Sequence, residues 1–251
     1  MQDLTLFPAA ARVVFLRTDD ERDLSNYRDL LPSERAQVSE AVDARKGEFG
    51  DARWCAHQAL KELGVGTEAA ILRGERGMPL WPDGFTGSLT HTDGLRAAVA
   101  APTSSVRSMG LDAEPAAPMP DGVLQQIASE TELQMVRSLQ DDGFAWADRL
   151  LFCAKEATYK CWFPMTRRWL GFEDAELEVR SDGTFTSRIV ARPTPSSKVG
   201  GWFAEATSSR QSSCSNLVSS RANRGEPGCG LLKCARPGDE RCGQTFALLF
   251  D

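Results

Sequence analysis

Three carboxylates in two segments of this chain have the residue types and the spacing to share one metal ion. Asp112 and Glu114 lie in MGLDAEP, residues 109–115, where a short apolar start predicts a strand. Side chains two apart in a strand point to the same side, so these acids repel each other unless a cation lies between them. Carboxylate oxygens are ligands that suit Mg²⁺ or Mn²⁺. Glu156, farther along the chain, would complete the site.

The segment 150–164, LLFCAKEATYKCWFP, predicts an amphipathic helix that carries Glu156. At about 100° per residue, one of its faces is apolar and is expected to enter a core. The apolar face comprises Leu150, Leu151, Ala154, Ala157, Thr158 and Cys161. The polar face comprises Arg149, Lys155, Glu156, Tyr159 and Lys160. Pro164 is expected to end the helix because it lacks an amide hydrogen.

The polar face of this helix has an ordinary alternative. Glu156 and Lys160 are four residues apart, which is the spacing of side-chain pairs that stabilise an exposed helix. The segment alone favours that alternative. The upstream segments GSLTHTDG, residues 87–94, and MGLDAEP, residues 109–115, supply further polar groups and favour a functional site.

Other patterns predict the elements that would position these groups. Ser33 predicts the N-terminal cap of a helical region whose apolar side chains recur every three to four residues and which ends at Gly64. Ser129 and Glu132 predict a capping box at the start of another helix. Strands are predicted at residues 12–17, 87–92, 95–101, 177–179, 185–191 and 200–204, and the second and third of these would form a hairpin.

Three motifs resemble those of the Sfp-type 4′-phosphopantetheinyl transferases, especially the actinobacterial enzymes that activate fatty-acid, polyketide and siderophore synthases. They are GSLTHT at 87–92, MGLDAEP at 109–115 and FCAKEATYKCWFP at 152–164. WPDG at 81–84 and WLGFEDAELEV at 169–179 fit the same family in order and spacing. The resemblance runs from roughly residue 30 to roughly residue 206.

The resemblance implies an α+β fold of two similar α/β lobes related by a pseudo-twofold axis, with the active site at their interface. The N-terminal lobe, residues 1–107, would bind the nucleotide of coenzyme A, and the C-terminal lobe, residues 108–206, would carry the metal and the catalytic helix. Family members finish with a pair of strands, a pattern that this chain abandons. Residues 207–251 are rich in Ser, Gly, Arg and Cys without hydrophobic periodicity, so we expect a divergent, poorly ordered tail. QTFALLF, residues 244–250, has the composition of a substitute strand.

The activity implied by the resemblance is transfer of 4′-phosphopantetheine from coenzyme A to a serine of an apo acyl or peptidyl carrier protein. The reaction would depend on Mg²⁺, with Mn²⁺ as an alternative, and would release adenosine 3′,5′-bisphosphate. Asp112, Glu114 and Glu156 would hold the ion. Glu156 is also the candidate base for the serine hydroxyl, and Lys155 and Lys160 would neutralise the phosphates.

The same resemblance assigns a coenzyme A-binding set. Arg45 and Arg53 would hold the 3′-phosphate, although their spacing alone predicts exposed charges. His91 would donate a hydrogen bond to the pyrophosphate and act with the catalytic group, although a lone histidine beside a strand is more often a satisfied polar residue. A loop around Gly74 would close over the adenine and phosphates. The full set is Arg45, Arg53, Arg73, Gly74, Arg76, Ser88, Thr90, His91, Asp112, Lys155 and Lys160.

Charge and cysteine usage restrict the remaining possibilities. The net charge of −6 argues against non-specific nucleic-acid binding, and local basic groups such as Arg167 and Arg168 would recruit an acidic carrier helix. Neither a signal peptide nor a membrane span is indicated, so a soluble, cytoplasmic protein is expected. Cys55, Cys153 and Cys161 are expected to be buried thiols. The cysteines of the tail lack the CxxC pairs of a zinc site and are not expected to form disulfides in the cytoplasm.

Two other functions remain open at this stage. A metal-dependent pyrophosphatase that acts on coenzyme A-like nucleotides would use the same three carboxylates and release its product to water. An inactive relative that only binds carrier proteins is suggested by the abnormal C-terminus. A chain that carries both halves of the site has no need to dimerise, so a monomer is expected.

Overall fold

Two long helices, each lying on a sheet, position the predicted site. The computed structural model describes residues 7–18, 23–66, 68–181, 184–190, 230–234 and 244–250. The helices are α1 Ser25–Asp29, α2 Pro32–Arg35, α3 Asp43–Glu62, α4 Leu124–Ile127, α5 Glu130–Asp141 and α6 Ala147–Thr166. The strands are β1 Arg12–Arg17, β2 Leu72–Arg73, β3 Pro79–Leu80, β4 Phe85–Thr92, β5 Leu95–Pro102, β6 Met109–Pro115, β7 Ala175–Val179, β8 Thr184–Ile189, β9 Gly230–Cys234 and β10 Gln244–Phe250. The fold is therefore mixed α and β, as predicted.

The first sheet has the order β1-β5-β4, and all of its pairs are antiparallel. Helix α3 lies across it and buries Cys55, Ala56 and Ala59 against Ala98 and Ala100 of β5. These small side chains let the helix axis approach the sheet closely, which fixes the cleft-facing side of α3. The predicted strand at residues 12–17, the hairpin of β4 and β5, and the end of the helix before Gly64 are confirmed.

The second sheet has the order β6-β10-β9-β8-β7, and helix α6 lies on it. The apolar face predicted for α6 is buried, with Leu151, Ala154 and Ala157 fully inaccessible. Gly110 of β6 lies so close to this helix that a Cβ atom there would collide with the carbonyl oxygen of Ala157. A glycine at that point therefore lets α6 lie directly against β6, which brings the helix that carries Glu156 to the strand that carries the other two acids.

The two sheets meet where β4 lies beside β6. Hydroxyl groups join these strands: Thr90 Oγ1 accepts a hydrogen bond from the Ala113 amide at 3.0 Å, and Ser88 Oγ donates to the Leu111 carbonyl at 3.4 Å. Both hydroxyls are buried. Ser88 and Thr90, predicted as ligand-binding residues, thus also hold the two sheets together.

Each half of the chain contains a buried glutamate that ties three elements together. In the first half, Glu34 of α2 accepts hydrogen bonds from the Ile71 amide at 2.8 Å and the Leu31 amide at 3.2 Å, and contacts His57 Nε2 of α3 at 2.8 Å. Burial opposes ionisation of Glu34, but the contact with His57 and the two amides outweigh it, so its pKa lies below the usual value.

In the second half, Glu132 of α5 has corresponding contacts. It accepts hydrogen bonds from the Leu177 amide of β7 at 2.8 Å and from the Ser129 amide at 2.8 Å, and it forms a 2.9 Å ion pair with Lys155 of α6. The Ser129 hydroxyl also accepts from the Glu132 amide, so the predicted capping box is confirmed. Glu34 thus joins α2 to α3 and to Ile71, the residue before β2, and Glu132 joins α5 to α6 and to β7.

Two helix-end predictions are wrong. Pro164 does not end α6, which continues to Thr166 and stops at Arg167, whose φ is 56° and whose amide donates to the Phe163 carbonyl at 2.8 Å. A proline removes a single amide donor, and so near the helix end the remaining turn tolerates that loss. Ser33 does not cap α2; Pro32 is its first residue, preceded by Leu31. Proline is well suited to this first position because its fixed φ is already helical.

The prediction that residues 207–251 form no packed structure is wrong for two segments. Strand β10 pairs in parallel with β6, and β9 pairs with β10 and β8, so the edge of β6 has a partner. The apolar composition of QTFALLF, residues 244–250, explains why this segment adopts a strand. The rest of the tail, and the strand predicted at residues 200–204, lie outside the described residues.

Two other expectations concern the helices and cysteines. None of the helices within the described ranges is long and apolar enough to cross a membrane. Cys55, Cys153 and Cys161 are buried, as predicted, and burial raises the pKa of the Cys55 thiol to about 12.

Candidate active site

A cleft of about 260 Å³ lies between α3, the loop before β3, β4 and α6. Helix α3 contributes Arg45 and Arg53, and β4 contributes His91. Helix α6 contributes Glu156 and Lys160. Together with Arg76, Ser88 and Thr90, eight of the predicted site residues, drawn from both halves of the chain, therefore line a single cavity.

Arg53 is a buried cation at one end of this cleft. Its Nε donates to the Ile71 carbonyl at 2.9 Å, and its guanidinium lies 4.2 Å from the centre of the Phe49 ring. Burial lowers the pKa of Arg53 to about 10. The positive charges of Arg73 and Arg45 also lower it, whereas the negative charge of Glu34 raises it. The group is still charged at neutral pH, and an anion in the cleft would relieve its desolvation.

Arg45 and His91 lie together on the cleft wall. Arg45 Nη1 is 2.8 Å from Glu48 Oε2, and His91 Nε2 is 3.6 Å from the same oxygen. Burial lowers the pKa of His91; Glu48 opposes this effect, whereas Arg45 and Lys160 add to it. His91 is therefore mainly neutral at pH 7, and it can donate one N–H to an anionic ligand without being a cation.

The predicted binding loop is only partly on the cleft. Arg76 lines it, in a left-handed conformation with φ of 52°, and its guanidinium lies 4.9 Å from the centre of the Trp169 ring. Arg73 is exposed and does not line the cleft. Its positive charge helps to lower the pKa of Arg53, which does line the cleft. Gly74 does not line the cleft, and a Cβ atom there would meet the end of the exposed Leu80 side chain, which is free to move aside.

Asp112 is a buried acid with one satisfied and one unsatisfied oxygen. Oδ1 accepts from Lys160 Nζ at 2.6 Å and from Thr90 Oγ1 at 3.3 Å. Oδ2 is inaccessible to solvent and has no hydrogen-bond partner among the described residues. A buried carboxylate oxygen without a partner is costly, so this atom is a candidate ligand for a cation.

Glu114 and Glu156 lie within electrostatic reach of Asp112 and of each other. Burial raises the pKa of Glu114, and the charge of Asp112 raises it further, although Arg149 at 3.2 Å opposes both effects. Burial also raises the pKa of Glu156, with Asp112 and Glu114 adding to the shift and Lys160 opposing it. Neighbouring acids thus hinder the ionisation of Glu114 and of Glu156, and a cation bound among them would relieve this effect.

The three acids fit a divalent cation in donor type and charge. An ion such as Mg²⁺ prefers hard oxygen ligands of this kind. It would also give a partner to the buried Oδ2 of Asp112 and stabilise the ionised forms of the other two acids, whose pKa values are raised. Among the residues that the structure describes, no three histidine, cysteine or acidic side chains are grouped in a way that would hold a metal ion. Lys160 and Arg149 instead hold Asp112 and Glu114.

Lys155, predicted to neutralise phosphates, does not line the cleft. Its side chain is 2% exposed, and its ammonium group donates to Glu132 at 2.9 Å and to the carbonyls of Phe172 at 2.7 Å and Ala175 at 2.9 Å. All three N–H donors are thus used within the protein, because the helix face that spacing shows as polar meets a buried acid of α5. Lys160, by contrast, lines the cleft as predicted.

We expect Lys155→Met to destabilise the fold by about 3 to 5 kcal/mol, because it leaves Glu132 buried without its counter-charge. Denaturant unfolding measures this loss. The double variant Lys155→Met/Glu132→Gln should recover part of it, because no unpaired charge remains. A Lys155→Met protein with unchanged stability but lowered turnover would restore the phosphate role.

Sequence reasoning missed two cleft residues. Glu48 lies three residues after Arg45 on the face of α3 that also carries Arg53, so its helical spacing was the available signal. Tyr159 lines the cleft and a neighbouring cavity of about 260 Å³ that Trp169 also lines. The Tyr159 hydroxyl is buried without a hydrogen-bond partner in the described part of the chain. Nothing in its spacing marked it as more than a helix-face residue.

Comparison with known proteins agrees with this geometry. Residues 33–101 match the model of the 4′-phosphopantetheinyl transferase N-terminal domain, and residues 108–211 match that of the 4′-phosphopantetheinyl transferase superfamily. The 4′-phosphopantetheinyl transferase PptT of Mycobacterium tuberculosis is 48% identical over 163 residues, which cover 64% of this chain and 71% of that protein.

Two further relatives carry the same family name. The 4′-phosphopantetheinyl transferase Npt of Nocardia iowensis is 47% identical over 182 residues, or 68% of this chain and 81% of that protein. The 4′-phosphopantetheinyl transferase Svp of Streptomyces mobaraensis is 44% identical over 175 residues, which cover 68% of this chain and 69% of that protein. With identities of this size over more than two thirds of each relative, the chain belongs to the 4′-phosphopantetheinyl transferase family.

Proposed function

We propose that this chain transfers the 4′-phosphopantetheine group of coenzyme A to a serine of an acyl or peptidyl carrier protein, with Mg²⁺ as the metal. One observation carries the proposal: a single cleft has basic groups from α3 on one side and, on the other, Glu156 and Lys160, whose ammonium group lies 2.6 Å from the buried acid Asp112. Such a cleft suits a ligand with phosphate groups and a divalent ion.

Arg45 and Arg53 are the proposed contacts of the 3′-phosphate. Both lie on the cleft side of α3, two turns apart, and Arg53 is held in place by Ile71 and Phe49. A fixed guanidinium loses little entropy when it binds a phosphate. His91 would donate its N–H to the pyrophosphate, and the exposed Arg76 would cover the ligand from the loop side.

Asp112, Glu114 and Glu156 are the proposed metal ligands. Bound there, the ion would draw charge from the pyrophosphate oxygens and offset the mutual repulsion of the three acids. Binding would also require Lys160 to exchange Asp112 for a phosphate oxygen, since its ammonium lies 2.6 Å from that carboxylate. Lys160 would then neutralise the leaving group.

The proposed reaction is an in-line phosphoryl transfer. The serine oxygen attacks the phosphorus on the pantetheine side of the pyrophosphate, and the bond from that phosphorus to the bridging oxygen breaks. Adenosine 3′,5′-bisphosphate leaves with the electron pair. Glu156 would accept the serine proton, directly or through a water, and burial raises the pKa of this carboxyl towards the value that suits a base near neutral pH.

The proposed architecture is two lobes, residues 1–107 and 108–206, related by a pseudo-twofold axis with the site between them. The matched contacts of Glu34 and Glu132 support it. His57 follows Glu34 by 23 residues, and Lys155 follows Glu132 by the same number. The helical pentapeptides around them, CAHQA at 55–59 and CAKEA at 153–157, share three identities.

Incubation of an apo carrier protein with coenzyme A, Mg²⁺ and this chain tests the function. Intact-mass spectrometry should detect a carrier heavier by one phosphopantetheine group, and the gain should disappear with a chelator. Hydrolysis of coenzyme A without modification of the carrier would instead identify a pyrophosphatase. No reaction, with the carrier still bound, would identify an inactive relative.

Arg167 and Arg168 are the proposed contacts of the carrier, whose recognition helix is acidic. Arg167 is exposed, and its Nη1 lies 2.9 Å from the sulfur of Met78, a residue that lines the cleft. Trp169, two residues farther along the chain, is 60% exposed and adds apolar surface. We expect Arg167→Glu/Arg168→Glu to slow association with the carrier about tenfold or more at low salt and to flatten its salt dependence.

Stopped-flow association rates at low and high salt check this expectation. Arg180→Glu is the matched control, because Arg180 is a partly exposed cation paired with Glu178 away from the cleft. Equal association rates for the charge-reversed pair and the control would remove Arg167 and Arg168 from the docking surface.

Monomeric organisation and a cytoplasmic location complete the proposal. Both halves of the cleft come from one chain, so no second copy is needed to build it. Coenzyme A and carrier proteins are the only partners that the proposed reaction requires.

A further inference from the structure

Glu48 is an acidic side chain on a cleft wall that otherwise presents cations. Its Oε2 lies 2.8 Å from Nη1 of Arg45 and 3.6 Å from Nε2 of His91. The side chain is 25% exposed and lines the cleft. One carboxylate oxygen is therefore placed between two groups that are candidates for phosphate contacts.

A simple helix pair does not account for this arrangement. Arg45 and Glu48 are three residues apart on α3, which is a common spacing for ion pairs on a helix surface. His91, however, comes from β4, and its Nε2 lies 3.6 Å from the same oxygen, beyond hydrogen-bond distance. The carboxylate thus lies between polar nitrogen groups of two elements, of which Arg45 contacts it directly.

The other cations of the cleft also have partners within the protein. Lys160 is paired with Asp112, Arg76 lies over the Trp169 ring, and Arg53 donates to the Ile71 carbonyl. The partners of Arg76 and Arg53 are neutral groups, and the partner of Lys160 is a carboxylate on β6 and not on α3. Glu48 is the one that places negative charge on the wall proposed for the 3′-phosphate, where it must repel a phosphate.

We propose that Glu48 is an internal competitor of the anionic ligand. Its carboxylate occupies the position of a phosphate between Arg45 and His91, and it must give up these contacts when coenzyme A binds. The inference rests on the proposed function for the identity of the ligand. Displacing the Glu48 carboxylate costs binding free energy for every anion, so tight binding requires a ligand that makes further contacts with Arg53 and Lys160. Glu48 is thereby a specificity-determining residue.

Glu48→Gln keeps the shape of the side chain and removes its charge. Isothermal titration calorimetry at fixed ionic strength should find the Kd for coenzyme A lowered by about three- to tenfold, the effect of one partly exposed ion pair. The Kd for inorganic pyrophosphate, a probe that does not depend on the transferase reaction, should fall by a similar factor. Glu48→Ala should behave in the same way if the charge alone matters.

Glu62→Gln is the matched control. Glu62 lies on the same helix in an exposed pair with Arg12 at 3.9 Å, so the change in net charge is identical while the cleft is untouched. Its Kd values should equal those of the parent protein. A Glu48→Gln protein with normal melting but unchanged or weaker binding of both ligands would overturn the inference, because Glu48 would then position Arg45 and His91 rather than compete.

The role of Glu48 and the proposed transferase activity can be tested independently of each other. If the parent protein transfers nothing to a carrier but Glu48→Gln still binds pyrophosphate more tightly, the inference about Glu48 holds and the proposed function is lost. If transfer occurs and pyrophosphate binding does not improve, the function holds and the inference is lost.

Discussion

Replacing Glu156 by glutamine is expected to lower the rate of phosphopantetheine transfer on the order of 10³-fold, because we propose this side chain both as a metal ligand and as the acceptor of the serine proton. Glutamine has the same shape but cannot take up the proton and is a poorer ligand for a divalent ion. Single-turnover transfer to an apo carrier at saturating coenzyme A measures this loss.

The same substitution should not destabilise the metal-free protein. Burial and the charges of Asp112 and Glu114 raise the pKa of Glu156 above its unfolded value, so ionising this group costs stability. That cost is present in full above the folded pKa and absent below the unfolded pKa. In the presence of a chelator, Glu156→Gln should therefore melt at or above the temperature of the parent protein at neutral pH. The difference should disappear as the pH falls through the folded pKa towards the unfolded value.

Glu178→Gln is the control for Glu156→Gln. Glu178 is an exposed glutamate on β7, paired with Arg180 and away from the cleft. Its turnover and melting should match those of the parent protein. A Glu156→Gln protein with near-normal turnover would reject the catalytic assignment, and one that is strongly destabilised at neutral pH would show that Glu156 has a structural partner.

Replacing Lys160 by methionine is expected to lower kcat by about 10²-fold or more, with a smaller effect on the KM for coenzyme A. Lys160 would neutralise charge that develops on the leaving group, so its contribution is made mainly in the transition state. The variant should also lose about 1 to 3 kcal/mol of stability, because Asp112 keeps a buried oxygen that has lost its 2.6 Å partner.

A second variant separates these two effects of Lys160. Lys160→Met/Asp112→Asn removes the unpaired charge and should recover most of the lost stability while turnover stays low. Steady-state kinetics and denaturant unfolding on the three proteins give both quantities. Full recovery of turnover in the double variant would show that Lys160 acts only by holding Asp112.

Much of the proposed site could be predicted from the sequence because its residues follow the two-residue period of a strand and the helical period of about 3.6 residues. The two-residue spacing of Asp112 and Glu114 puts both on one side of β6, and the helical spacing of α6 puts Glu156 and Lys160 on one face. The resemblance linked these segments to α3 and β4. Their actual approach depends on Gly110, which meets the Ala157 carbonyl, and no spacing rule provides such a contact.

Lys155 shows where spacing fails. Its position on the helix predicts an exposed or cleft-lining cation, yet it is buried because Glu132 of another helix and two carbonyls satisfy its ammonium. The decisive partner lies 23 residues upstream, beyond the range of any local pattern. Glu48 was missed for a related reason, since its partner His91 belongs to a different element.

The number of Mn²⁺ ions that the protein binds together with coenzyme A, measured by electron paramagnetic resonance, tests directly whether the three acids share one ion. We expect one bound ion in the parent protein and in Glu178→Gln, with binding strongly weakened in Glu156→Gln. Equal Mn²⁺ binding in all three proteins would contradict the central claim that Asp112, Glu114 and Glu156 share one divalent ion.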